Sequence, residues 1–184
     1  MSKPMNKAQK THKPGEGRDA GSFDAVERRI EFTRKRLRGY PHERVKLARL
    51  IAHLQKRQAD MANAALKRYD LNYVTYTALM MMYGTEAQTL TPSDLRDATG
   101  EKPANVTRIC DELVAAGLIE RSASTADRRC VALRLTRKGE ALVERFQPDL
   151  WQTMEQLYGG LSAAELRQVT DLLRRPLQRA EQGA

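Results

Sequence analysis

The sequence is poor in the residues on which many catalytic and secreted proteins depend. Its 184 residues include 3 histidines and 2 cysteines. Two cysteines are too few for a disulfide framework. His12, His42 and His53 form no metal-ligand spacing with Cys110 and Cys130. A glycine-rich phosphate loop and a nucleophile elbow are also absent. We therefore expect a protein that is not an enzyme and that uses neither a metal nor a cofactor.

Long apolar runs are missing as well. No segment is apolar for long enough to cross a bilayer, and the N-terminus lacks the apolar region of a signal peptide. These absences predict a cytoplasmic protein without a membrane partner.

Aromatic residues are scarce at 5%, whereas Ala, Leu, Arg and Glu are common, and that composition favours helices. The formal net charge of +9 favours an anionic partner such as nucleic acid. Residues 1–22 carry a net charge of +3 and almost no apolar side chains, so we expect a flexible basic tail there. The body of the chain keeps the other +6.

Residues 91–136 have the pattern of a helix-turn-helix followed by a β-ribbon. Thr91, followed by Pro92 and Asp94, predicts the start of a short helix that ends at Gly100. The apolar face of this short helix consists of Leu95 and Ala98. A second helix opens at Pro103 and repeats four apolar residues at helical spacing: Val106, Ile109, Leu113 and Ala116. In a helix-turn-helix protein, this second helix enters the major groove of DNA.

The other face of the second helix is polar and carries Lys102, Asn105, Thr107, Arg108 and Asp111. Asparagine can pair with adenine, and arginine with guanine or a phosphate. We interpret this face as a DNA contact, with a merely solvated face as the alternative. Which of these side chains would touch bases rather than phosphates stays open.

The β-ribbon follows directly. Val131, Leu133 and Leu135 alternate with Cys130, Ala132 and Arg134, which predicts a half-buried strand. The loop before this strand holds Asp127, Arg128 and Arg129. A guanidinium group suits the narrow, electronegative minor groove of DNA. Asp127 would repel phosphate, so we expect it to support the wing by holding Arg121 or Arg129 in place. An ordinary charged hairpin loop is the alternative.

Amphipathic helices flank this pattern on both sides, at about 23–38, 42–69 and 73–83 before it, and after Thr136 and Ser162 behind it. A small DNA-reading lobe cannot cover all of their apolar stripes. We therefore expect a symmetric homodimer, which would place two reading helices roughly 34 Å apart.

The spacing of several motifs between residues 105 and 142 resembles the MarR family of bacterial transcriptional regulators. The matching motifs are Thr107-Arg108, Leu113, Gly117-Leu118-Ile119, Arg121, Asp127-Arg128-Arg129, Leu135-Thr136 and Gly139. Residues 47–82 are similar in layout to a subgroup of that family, the multidrug-efflux repressors EmrR (also called MprA). The tail before about residue 24 has no part in the resemblance.

The resemblance implies a mainly α fold with a small β-ribbon, that is, a winged helix-turn-helix with N- and C-terminal dimerisation helices. The expected divisions are a disordered basic tail at 1–22, N-terminal dimerisation helices at 23–70, a DNA-binding lobe at 71–136 and C-terminal dimerisation helices at 137–181. It also implies a homodimer that represses genes of efflux or aromatic-compound response from a palindromic double-stranded operator. A small phenolic or anionic effector would release the protein.

Site residues follow from the same resemblance. Arg121, Arg128 and Arg129 would join the reading helix in contacting DNA. The candidates for the effector pocket lie on helices that the family places beside its ligand: His53, Tyr73, Tyr76, Met80 and Tyr83. Ordinary packing between helices is the alternative for each of them.

Two other functions remain open. Cys110 or Cys130 could sense oxidants if exposed and of low pKa, but Cys110 falls among apolar residues and we expect it to be buried. A winged helix could also serve as a protein-interaction module, although the basic residues on both its helix and its wing favour DNA.

Overall fold

A computed structural model describes residues 22–123 and 131–183 of the chain. They form seven α-helices and three short strands, which confirms the predicted mainly α architecture with a small β-ribbon. The helices are α1 (Phe23–Arg36), α2 (His42–Leu66), α3 (Tyr73–Tyr83), α4 (Pro92–Thr99), α5 (Pro103–Ala115), α6 (Arg137–Tyr158) and α7 (Ala163–Gln182). The strands are β1 (Thr89–Leu90), β2 (Ile119–Ala123) and β3 (Val131–Leu135), and a short 3-10 helix, Lys67–Tyr69, follows α2.

The chain divides after Arg57 into two compact units, so that α2 contributes to both. In the first unit, Ser22 caps α1 by accepting a hydrogen bond from the Asp24 amide at 3.2 Å. Ile30 is the buried residue of α1, and Lys46 of α2 forms an ion pair with Glu27 of α1 at 2.6 Å. Apolar burial in this unit is slight.

The second unit holds the main hydrophobic core. Phe146 of α6 is fully buried there, and Tyr76 of α3 meets its ring edge-on with centroids 5.7 Å apart. The surrounding core draws on every helix from the end of α2 to α6 and on the sheet, with fully buried members Leu66, Leu79, Met82, Leu95, Ile109, Ile119, Leu133 and Val143. This core fixes the helix-turn-helix to the sheet and to α6.

The starts of α4, α6 and α7 and the end of α4 lie where local chemistry predicts them, whereas α1 and α2 end at Arg36 and Leu66, before the expected Arg38 and Tyr69. Thr91 and Asp94 form a reciprocal capping box at the start of α4, and Ser162 and Glu165 do the same for α7. Thr136 caps α6. Gly100 ends α4 with φ of 67°, the left-handed conformation that glycine adopts without strain.

The sheet has the order β1-β3-β2, and both pairings are antiparallel. Strands β2 and β3 form the predicted ribbon, with Ile119 opposite Leu135 and Arg121 opposite Leu133. Strand β1 is a finding that the sequence pattern missed. It adds two residues to the far edge of β3, pairing Thr89 with Arg134.

Three alanines differ in burial from what the sequence predicts. Ala132 is buried although it was expected on the outer face of β3, because β3 is the central strand of the sheet. Ala98 and Ala116 are exposed although both were expected to face the core. Each lies at a helix end, Ala98 in the last turn of α4 and Ala116 directly after α5.

Across the described ranges, no helix is both long and apolar enough to cross a membrane.

Candidate nucleic-acid interface

Helix α5 has one apolar face and one polar face. Val106, Ile109 and Leu113 are buried in the core, as predicted. Lys102, Thr107, Arg108 and Asp111 are exposed, whereas Asn105 is half-buried. Proline at the first position of α5 sets its start directly after the turn at Gly100. The geometry is that of a helix-turn-helix whose second helix presents its polar side to solvent.

Side chains along this helix form a continuous hydrogen-bonded line. Glu101 Oε2 accepts a hydrogen bond from Asn105 Nδ2 at 2.6 Å. Asn105 Oδ1 accepts from Arg108 Nε at 3.1 Å and from Arg108 Nη2 at 2.7 Å. Arg108 Nη1 donates to Glu112 Oε1, completing an ion pair one helical turn along. The line places Arg108 between an amide oxygen and a carboxylate.

Helix α5 is also tied to the wing and to α6. Arg121 of β2 donates from Nη2 to Asp111 Oδ1 at 2.5 Å. Lys138 Nζ donates to the Ala116 carbonyl at 2.6 Å, and Thr136 Oγ1 donates to the Gly117 carbonyl at 2.8 Å. These bonds hold the end of the reading helix and the base of the wing in one arrangement.

The positive charge of the chain is not concentrated around helix α5, the reading helix of the predicted DNA interface. Residues 71–136 contain 7 Lys or Arg and 8 Asp or Glu, a net charge of −1. Residues 23–70 contain 13 Lys or Arg and 6 Asp or Glu, a net charge of +7. The overall basicity therefore comes from the N-terminal helices and the tail, whereas the reading lobe carries few cations.

The loop between β2 and β3 lies outside the described residues. The predicted wing residues Asp127, Arg128 and Arg129, and also Cys130, belong to it. Their roles remain predictions.

Cys110 lies on the apolar side of α5 and is buried, as expected. Burial raises the pKa of its thiol, and the nearby Arg121 opposes this only in part. A thiol with these properties is poorly suited to react with oxidants.

The five candidates for the effector pocket are not all brought together. Tyr73 and Tyr76 of α3 have ring centroids 5.9 Å apart. Burial, and then the neighbouring Tyr73, raise the pKa of the Tyr76 hydroxyl. Met80 Sδ accepts a hydrogen bond from Gln147 Nε2 at 3.0 Å, and Tyr83 is exposed. These four lie in the second compact unit.

His53 lies in the first unit and lines a cavity of about 450 Å³ between α1 and α2. Its ring is 5.6 Å from that of Phe23. The lining combines apolar side chains with polar and cationic ones: Val26, Arg29, Ile30, Thr33, Tyr40, Val45, Arg49, Ala52 and His53. No carboxylate lines this cavity among the described residues.

A second cavity on α1, of about 470 Å³, is lined by carboxylates as well as cations. Its lining includes Glu27 and Glu31 together with Lys46 and His42, and these groups pair with one another. Arg29 and Arg49 of the His53 cavity have no carboxylate partner among the described residues, so that cavity suits an anion better than this one does.

The sequence did not predict one polar cluster, which is centred on the Tyr69 hydroxyl group. Tyr69 has its hydroxyl 2.9 Å from Asp149 Oδ2 and 3.1 Å from the Arg145 carbonyl. Arg68 pairs with Asp149 and also donates to the Tyr69 hydroxyl at 2.8 Å. Tyr69 and Asp149 lie 80 residues apart in sequence, so no local sequence pattern indicates that they meet. The acids Glu101 and Glu112 were missed too, although their spacing from Asn105 and Arg108 is a signal of helical side-chain pairs.

The sequence of this chain is similar to those of known proteins. A model of the MarR family matches residues 69–129. The transcriptional repressor MprA of Escherichia coli is 34% identical over 161 residues, which cover 88% of this chain and 92% of MprA. The chain belongs to the MarR family.

Solved structures of the family agree with this assignment. A mutant MarR of E. coli complexed with operator DNA is 26% identical, with a TM-score of 0.63, covering 73% of this chain and 96% of MarR. BpsR of Bordetella bronchiseptica, whose DNA binding is regulated by 6-hydroxynicotinic acid, is 27% identical with a TM-score of 0.59, covering 70% and 90%. The named relatives are transcriptional regulators, so membership places this chain among regulators.

Proposed function

We propose that the protein is a repressor that binds a palindromic DNA operator as a homodimer and is released by a small anionic or phenolic effector. The observation that carries this proposal is helix α5, which buries Val106, Ile109 and Leu113 and exposes Lys102, Thr107 and Arg108 beside a β-ribbon. This is the geometry of a helix that enters the major groove while the ribbon reaches the adjacent groove. The operator complex of MarR supports it by family membership.

The proposed homodimer is supported by apolar faces that no described residue covers. Helix α7 exposes a row of large apolar side chains: Leu166, Val169, Leu172, Leu173 and Leu177. Helix α2 exposes another such row: Leu47, Leu50, Ile51 and Leu54. Contiguous apolar faces of this extent mark interaction surfaces. A second copy of the chain would cover them and present two reading helices to one face of DNA.

For the effector, the cavity around His53 is the best supported site. Its 450 Å³ suit a small aromatic molecule, and Arg29 and Arg49 supply positive charge without a lining carboxylate. An aromatic acid would place its ring among Val26, Ile30 and Val45. Tyr73, Tyr76 and Met80 pack against the core of the second unit, and with Tyr83 they remain the other candidates for the pocket. Efflux or aromatic-compound response genes remain the proposed targets.

The effector site can be tested with 6-hydroxynicotinic acid and its uncharged amide as probes. The acid should raise the melting temperature of the native protein more than the amide does, because only the acid offers a carboxylate to the cavity. Arg49→Ala should abolish that difference, whereas Arg167→Ala on α7 should keep it. Equal responses of wild type and Arg49→Ala would refute this location.

Binding to DNA is tested by selecting duplexes from a library with about 30 randomised base pairs, roughly three helical turns. We expect wild type to enrich a palindrome, and its affinity to fall steeply as salt rises. Arg108→Ala should weaken binding by roughly 1–3 kcal/mol, whereas Arg167→Ala should not. If no sequence is enriched but a protein partner is bound, the winged helix is an interaction module.

A further inference from the structure

Two carboxylates lie beside the groups proposed to contact DNA, one on helix α5 and one just before its first residue. Glu112 is paired with Arg108, and Glu101 holds the amide of Asn105. A carboxylate near DNA repels phosphate, so neither adds to affinity by electrostatics. Their presence beside these groups needs a reason other than tighter binding.

The four side chains form one stripe that begins just before the helix and continues along it. Asn105, Arg108 and Glu112 are separated by steps of three and four, so they are neighbours on the helix surface, and Glu101, which precedes the helix start at Pro103, bonds to Asn105. The stripe reads acid, amide, guanidinium, acid, and every adjacent pair is bonded. Arg108 therefore has three of its N–H groups directed to fixed acceptors before any DNA arrives.

The net charge of the lobe also argues that general attraction to phosphate is not what it relies on. With a net charge of −1 over residues 71–136, this lobe has little general attraction for phosphate. Two cations in or near the stripe are neutralised locally: Arg108 by Glu112, and Arg121 of β2 by Asp111. Non-specific affinity for DNA comes from cations that reach any phosphate, and a paired arginine must first leave its carboxylate.

We propose that Glu112, with Glu101 at the other end of the stripe, is a specificity-determining positioning residue. It holds Arg108 in one orientation and makes contact with arbitrary phosphates unfavourable. In the operator complex, Arg108 keeps this orientation and reaches its base or phosphate without leaving Glu112. This inference rests on the proposed DNA-binding function.

The test compares Glu112→Gln with Glu144→Gln, which removes one carboxylate from the exposed face of α6. Each variant is titrated with the duplex selected by wild type and with the same duplex scrambled. For Glu112→Gln, we expect affinity for the scrambled duplex to rise roughly two- to fivefold, the range that one exposed ion pair contributes. Affinity for the selected duplex should stay equal or fall.

Salt dependence adds a readout that a change in folding would not produce. Freed from Glu112, Arg108 should neutralise one more phosphate of the scrambled duplex, which steepens the slope of log K against log salt by up to about 0.9. Glu144→Gln should leave both slopes and the ratio of the two affinities unchanged. Thermal unfolding of the two variants should be alike, since both carboxylates are exposed.

Two results would overturn the proposal. If Glu112→Gln behaves as Glu144→Gln does, the carboxylate has no role in specificity. If Glu112→Gln selects a different base pair while its affinity for scrambled DNA is unchanged, Glu112 reads a base directly. Failure of wild type to select any duplex is a separate outcome that refutes the DNA-binding function itself.

Discussion

The role of an individual side chain in this protein depends on its bonding partners more than on its residue type. Arg108 and Arg121 look like equivalent cations in the sequence, yet one is held within α5 and the other joins β2 to α5. Cys110 is buried because of where its helix places it, and burial raises the pKa of its thiol. A residue's chemistry is therefore decided by what it touches.

Burial of Cys110 predicts slow reaction with thiol reagents. In a Cys130→Ser variant, Cys110 is the one remaining thiol. Because burial raises the pKa of this thiol, less thiolate is present at a given pH and the sulfur is also inaccessible. We expect labelling by an aromatic disulfide reagent at pH 8 to be slow in native protein and rapid in denaturant. Rapid labelling of native protein would revive Cys110 as an oxidant sensor.

The Tyr69 hydroxyl predicts a measurable contribution to stability. Removing it in Tyr69→Phe leaves Asp149 and Arg68 with one partner fewer. We expect the free energy of unfolding in urea to fall by about 1 kcal/mol, the net value of a typical hydrogen bond. Tyr83→Phe is the matched control, since Tyr83 is exposed. Equal effects of the two substitutions would show that the cluster is not stabilising.

At the scale of elements, the wing and α6 meet at a position with no room for a side chain. A Cβ atom at Gly139, in the first turn of α6, would lie 2.2 Å from the Leu118 carbonyl oxygen and 2.7 Å from Leu135 Cδ1. Glycine thus allows the start of α6 to approach the turn between α5 and β2. That approach lets Thr136 and Lys138 anchor the end of the reading helix.

Gly139→Ala should therefore destabilise the protein, although alanine favours helices. A clash with backbone cannot be relieved by a rotamer change, so we expect a loss of about 1–3 kcal/mol. Gly160→Ala is the control, because a Cβ there meets nothing within 4 Å. Chemical unfolding of both variants measures the difference. A Gly139→Ala protein as stable as the control would mean that α6 shifts at little cost.

At the scale of the whole molecule, neither the positive charge nor the exposed apolar surface is concentrated in residues 71–136. Residues 23–70 carry a net charge of +7, residues 71–136 a net charge of −1, and residues 137–184 none. The large exposed apolar side chains lie mostly on α2 and α7. The lobe proposed to read DNA is thus neither the most basic part of the protein nor the part with the most exposed apolar surface.

The proposed dimer predicts that a charge on the apolar face of α7 will separate the protomers. Leu177 is 58% exposed in the single chain, so Leu177→Glu should fold normally and yet oppose burial against a partner, because an unpaired charge is costly to bury. Sedimentation equilibrium should show a dimer for wild type and a shift to monomer for the variant. Gln168→Glu adds the same charge on the polar face of α7 and should remain dimeric. A dimeric Leu177→Glu protein would place the interface elsewhere.

Much of the fold was predictable because its signals are local. The caps at Thr91, Thr136 and Ser162, and the buried face of α5, depend on residues three or four positions apart. The wing strands follow from an alternation of period two. The DNA-contact residues and the effector pocket remain predictions, since their definition needs a ligand and the loop at 124–130.

The sequence by itself determined where α4, α5, α6 and α7 begin, which face of α5 is apolar, and that a β-ribbon follows it. Caps, helical spacing and strand alternation act over a few residues, so they are readable without a fold. Tertiary structure alone decided that β1 joins β3, that Tyr69 meets Asp149, that Ala132 is buried while Ala98 and Ala116 are not, and that Arg121 pairs with Asp111. Those outcomes depend on which distant segments occupy the same space, and no short-range pattern contains that information.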